Sequence, residues 1–163
     1  LRRLVMAGEI FGAARPKAEP EALDRLRDTS LRASRLAARL LPGAQADLAA
    51  TAALLAGVGR LLPQVRIPWA PQPGESDDWP TYAEAGAYLL ALWGLPETLV
   101  EVVAQHPAPA TAAEHGLGVV GACHVAWAML GELPLDEAWV EAQGLADQRE
   151  AWQAMAAELR GEG

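Results

Sequence analysis

The sequence is short of the residues that most often carry chemistry. Among 163 residues there is one cysteine, one lysine, one phenylalanine, three histidines and three serines. A lone Cys123 excludes an internal disulfide and any multi-thiolate metal site, which suits a reducing, cytoplasmic compartment. His106, His115 and His124 show no His-x-x-x-His spacing, whereas a metal site needs several ligands converging on one point. Cys123 adjoins His124, but neighbours on a helix point about 100° apart and do not face each other. None of the serines sits in a nucleophile elbow. Gly57-Val58-Gly59 lacks the further glycines and the lysine of a phosphate loop. No apolar run reaches the roughly 18–20 residues of a membrane span, and no signal-peptide pattern opens the chain.

What is abundant is alanine and leucine, 35 and 24 residues, against 17 Val, Ile and Thr together. Strong helix formers with few β-branched residues predict an all-α, single globular helical bundle with no significant sheet. Hydrophobic periodicity and Pro/Gly punctuation place the helices. The first runs over about 21–41, with Leu23, Leu26, Leu31, Leu36 and Leu40 as much of its buried stripe, and stops at Pro42-Gly43. A nearly uncharged helix over 45–62 is expected to be central. Residues 63–80, with five prolines and Glu75-Ser76-Asp77-Asp78, read as a long surface loop. Helices follow over 81–93, from Pro96 to about His106, and over 111–130, 135–142 and 148–159. In domain terms, 1–12 reads as the end of an N-terminal lobe helix in a chain cut from a longer protein. Residues 19–133 form the core and 134–163 a C-terminal extension.

The net charge of −8 is unevenly spread. Residues 1–66 carry eleven basic and six acidic side chains, residues 67–163 two basic and fifteen acidic. An acidic molecule repels nucleic acid as a whole, so no direct nucleic-acid role is expected. Such opposed fields could orient a protein partner or a second copy. Alanine-rich helix surfaces and six tryptophans also suit a homodimer.

Several segments, read in order, resemble the HD superfamily and most closely its HDOD branch, the HD-related output domains of bacterial signalling proteins. Leu1 to Phe11 (LRRLVMAGEIF) is similar to the helix closing the N-terminal lobe of such domains. Leu26 to Ala37 (LRDTSLRASRLA) resembles the helix that normally carries a histidine followed by serine. Thr51 to Leu62 (TAALLAGVGRLL) resembles the "LLHDIGKL" helix, and Thr81 to Pro96 (TYAEAGAYLLALWGLP) the "H-A-E-V-G-A-x-L-L…W-x-L-P" segment. Val102 to Pro109 (VVAQHPAP) is similar to the following "I-x-x-H-H-x-P" turn, and His124 to Leu130 (HVAWAML) to the last core helix. Residues 135–159, with Trp152, resemble the helical tail of response-regulator HDOD proteins.

The resemblance implies an HD-type helical fold, and its departures bear on function. Where catalytic HD enzymes place their metal ligands, this chain has Thr29, Ala56, Gly57, Tyr82, Pro107 and Trp127. Of the family's histidines His106 is kept, and Arg60 stands where a basic residue usually follows the His-Asp pair. One imidazole cannot hold a catalytic divalent ion against water. The reading is therefore a degenerate, non-enzymatic domain with no cofactor and no membrane contact. It acts as a signal-transduction output module, receiving its state from an upstream receiver or sensor domain and passing it to a protein partner. An alternative is a metal-free pseudo-enzyme that binds a nucleotide or signalling dinucleotide through Arg60, Tyr82, His106 and Trp127. A third is a metal-dependent phosphodiesterase drawing ligands from His106, His124, Glu84, Asp77 or Asp78.

Overall fold

A computed structural model describes residues 20–161. The expected N-terminal lobe helix over 1–12 lies outside the described residues. Seven α-helices follow in order: α1 (Pro20–Leu40), α2 (Gly43–Leu55), α3 (Tyr82–Leu92), α4 (Glu97–Gln105), α5 (Val119–Met129), α6 (Glu137–Ala142) and α7 (Arg149–Gly161). Short 3-10 turns lie at Val58–Leu61, Pro109–Thr111 and Ala146–Gln148. The chain is an all-α single helical domain. Among the described residues, β-type pairing is limited to one isolated bridge, Arg66 to Thr81. No described helix is long and apolar enough to cross a membrane.

The hub is α5, which packs on α1, α2, α4 and α7. Every residue from Val119 to Trp127 is buried. The helix expected to be central, over 45–62, is instead α2, which buries Ala49, Ala52 and Ala53 on one side and leaves Leu54 exposed on the other. It also ends early, at Leu55. Gly59 then brings the Val58–Leu61 turn against α3, since a Cβ there would lie 1.7 Å from the Tyr82 carbonyl oxygen. Gly86 offers the matching bare backbone on α3, 3.0 Å from Gly59 N by the same construction.

Two further expectations change. The helix expected over 111–130 is only α5, because Gly116 adopts a left-handed φ of 67° and Gly118 is extended. The Glu114 carboxylate then accepts from the freed Val120 N–H at 3.1 Å, compensating one of the unpaired donors of the helix start. The buried stripe of α1 is Ser30, Ala33, Leu36 and Ala37; of the expected leucines Leu36 is buried and Leu26 and Leu40 pack half-buried on the core, whereas Leu23 and Leu31 do not. Alanines let α1 approach α2 and α5 closely, and that rotation leaves Leu23 and Leu31 facing outward.

Some boundaries follow their local chemistry. Thr81 closes a capping box with Glu84 at the start of α3. The 63–80 segment is irregular, as expected, and is pinned where Arg66 N–H bonds to Pro80 O and Tyr82 N–H to Arg66 O, each at 3.0 Å. The C-terminal helices belong to the same body: Trp139 and Trp152 are buried with Val125 of α5 in one apolar cluster, and α7 also packs on α1.

Candidate functional site

Four elements bring Arg60, Tyr82, His106 and Trp127 together at the centre of the domain. Arg60 comes from the 3-10 turn, Tyr82 opens α3, His106 caps the C-terminus of α4 and Trp127 lies on α5. Tyr82, His106 and Trp127 are fully buried. The Arg60 guanidinium carbon lies 4.6 Å from the Tyr82 ring centroid and 5.4 Å from that of Trp127. Both distances fall within cation–π range.

Charge and hydrogen bonds are almost completely balanced. Arg60 Nη1 pairs with Glu132 Oε2 at 2.6 Å, and Nη2 donates to the Glu132 carbonyl at 3.0 Å. Thr29 Oγ1 is 3.5 Å from the other Glu132 oxygen. Trp127 Nε1–H donates to Ala53 O at 3.0 Å, a carbonyl in the last turn of α2. The exception is Arg60 Nε, which is buried and has no hydrogen-bond partner.

The two buried histidines are neutral, and each is held in one tautomer by its partners. His106 Nδ1–H donates to Val103 O at 2.5 Å, so Nε2 is the acceptor for the Tyr82 hydroxyl at 2.9 Å. Burial drives the His106 pKa down to about 3, against the hydrogen bond to Val103 O and with the Arg60 charge acting in the same direction as burial. His124 Nδ1–H donates to His106 O at 2.8 Å, and its Nε2 accepts the Asp136 N–H at 3.0 Å. Its pKa is also lowered by burial. Burial pushes the Tyr82 hydroxyl up to about 12 despite the Arg60 charge, and it raises the Cys123 thiol as well. These groups are poor proton-transfer agents near neutrality.

A divalent metal does not fit this arrangement. Ala56 and Gly57 offer no ligating side chain, and a Cβ on Gly57 would stand 2.7 Å from the Trp127 ring. The indole thus occupies the space beside Gly57, and the opposing residue is bare for that reason. The Pro107 side chain has no ligating atom, and Tyr82 and Trp127 are engaged with His106 and Ala53. Among the described residues, no three His, Cys, Asp or Glu side chains are close enough to share an ion. The other conceivable ligands are dispersed: Glu84 is committed to the α3 cap, and Asp77 and Asp78 are exposed on the long loop. His115 is exposed as well.

The adjoining cleft, about 420 Å³, is bounded by Trp69, Tyr82, Gln105 and Pro107 but not by Arg60, His106 or Trp127. Sequence reasoning missed Glu132, which lies 72 residues from Arg60, and Asp136, the partner of His124; neither carries a local motif. It also missed Trp79, whose carbonyl is fixed by Arg66 Nε at 2.8 Å. Comparison with models of protein families, with curated proteins and with solved structures finds no match for this chain.

Proposed function

We propose that this domain is a non-catalytic signal-transduction output module of the HDOD type, working in the cytoplasm and acting through contact with a protein partner. The observation that carries this reading is the Arg60–Glu132 pair clamped between Tyr82 and Trp127. By the family resemblance this is where an HD enzyme would hold its metal, and here it carries a neutralised ion pair whose guanidinium is stacked on two aromatic rings, which supports a non-catalytic reading. The family resemblance supplies the class of function, and the chemistry of the cluster argues against turnover. What then remains available to a partner is the outer surface of the helices, whose state an upstream receiver or sensor domain would bias.

The test is elemental analysis of the purified chain at known concentration, with no chelator added. Below about a tenth of an equivalent of any transition metal is the expected result, because a working site needs several ligands. One or two equivalents, with hydrolysis of a phosphodiester, would overturn the proposal. The pseudo-enzyme alternative rests on the unpartnered Nε of Arg60. Calorimetric titration with mononucleotides and cyclic dinucleotides is expected to give no binding heat. Saturable binding that Arg60→Ala abolishes would replace the output-module reading with that one.

A further inference from the structure

Seven large apolar side chains are exposed among the described residues, and all lie between positions 23 and 93. They form two patches. The first is a groove between α1 and the end of α2, bounded by Leu23, Leu31, Leu54 and Leu61 with Arg27 in its wall. The second is a cleft of about 260 Å³ between Trp79-Pro80, residues 62–65 and α3. Tyr88 lines it, and Leu92 and Trp93 extend its apolar surface along α3, with Trp93 61 % exposed. The patches share a border, since Leu61 bounds the groove, Leu62 bounds the cleft and the Val58–Leu61 turn is seated on α3.

The cleft is preformed. Arg66 fixes Trp79 and Pro80 through its side chain and backbone. Gln64, in its opposite wall, holds a left-handed φ of 55°, a conformation a non-glycine residue adopts at a cost. Exposed apolar patches of this kind mark interaction surfaces.

The charges of the two patches are opposite. Helix α1 carries five arginines against three acidic residues, Glu21, Asp24 and Asp28, so it is net positive, and Arg27 and Arg35 flank Leu31 at four-residue spacing. From Ile67 to Gln148 there is no Lys or Arg at all. Glu84 lines the cleft, and Asp77 and Asp78 directly precede Trp79.

We propose that these patches are the two halves of one self-association surface. The leucine–arginine face of α1 in one copy seats on the aromatic–acidic face of α3 in a second copy. A two-fold axis near the Val58–Leu61 turn makes the contact twice and closes the dimer. This pairing is independent of the signalling role proposed above.

The test is sedimentation equilibrium of the full chain and of two exposed charge reversals, Arg27→Glu with Arg35→Glu, and Asp77→Arg with Asp78→Arg. Circular dichroism confirms that each variant is folded. The parent is expected at about twice 17.2 kDa, with weaker association at high salt. Each reversal alone sets like charges together at both contacts and raises the dimer Kd about tenfold or more. Mixing the two variants restores opposite charges at both contacts, so a heterodimer of near-parental affinity forms. A monomeric parent would overturn the proposal, including the cases where these patches serve a different protein or another segment of the same chain. So would a dimer indifferent to both reversals, or a mixture that stays monomeric.

Discussion

The hydroxyl of Tyr82 donates to Nε2 of His106 across 2.9 Å, with both side chains shut away from solvent. This bond ties the first turn of α3 to the end of α4 beneath the Arg60 guanidinium. Removing the hydroxyl leaves a buried ring nitrogen with no donor and little room for water. Tyr82→Phe should therefore cost about 1–3 kcal/mol, the penalty for a buried polar atom deprived of its partner. Urea unfolding with an unchanged m-value checks this. A loss below about 0.5 kcal/mol would mean that Nε2 finds another donor.

The same burial makes stability depend on pH. An unfolded histidine titrates near 6.5, whereas burial holds His106 near 3 in the folded protein. Between those values the unfolded chain binds a proton that the folded chain refuses. The contribution is thus complete above pH 6.5 and is lost as pH falls below it toward 3. At pH 5.5, still above the usual carboxylate range, His106 should account for a loss of about 1–1.5 kcal/mol relative to pH 7.5. His124 shifts in the same direction and adds to the slope. Denaturant unfolding at the two pH values measures the total, and His106→Asn should flatten the dependence. An equal slope in that variant would place the titration elsewhere.

Local chemistry made part of this structure legible in the sequence. Pro42-Gly43, Gly94 and His106-Pro107 mark real helix ends, because each residue type acts on the backbone at its own position. The early end of α2 was hidden, since it is imposed by close approach of Gly59 to Tyr82, 23 residues away. The outward turn of Leu23 and Leu31 was hidden too: periodicity finds an apolar stripe, but alanines set which side packs closest. In the site, the convergence of Arg60, Tyr82, His106 and Trp127 was readable only through the family resemblance. Glu132 was not, because an ion partner on a distant loop leaves no periodic trace.

The glycines of the second helix region offer a graded packing test. At Gly59 an added Cβ would meet the backbone of Tyr82, and at Gly57 the rings and methyls of Trp127 and Leu26. Side chains yield more readily than backbone. Gly57→Ala should cost about 1–3 kcal/mol, as overpacked cores do. Gly59→Ala should cost more and shift the Val58–Leu61 turn off α3. Thermal and urea unfolding rank the two variants, and the reverse order would show that the turn is free to move.

The Arg60–Glu132 pair makes the sharpest energetic prediction, because its two halves are not equivalent. Arg60 packs on two aromatic faces and is 16 % exposed, whereas Glu132 is 31 % exposed and holds only charge and hydrogen bonds. Glu132→Gln keeps the shape but leaves a guanidinium in an apolar cage without its counter-charge, which should cost about 1–2 kcal/mol after allowing for partial solvent screening. Arg60→Met keeps the contact with Tyr82 and Trp127 and removes the charge that needs neutralising, so it should cost less. In the double variant no stranded charge remains, and its stability should approach that of Arg60→Met alone. The cycle would then report a coupling of about 1 kcal/mol or more, against a few tenths for an ordinary surface pair. A coupling in that lower range would mean that water reaches the cluster and that its centre is open enough to admit a ligand.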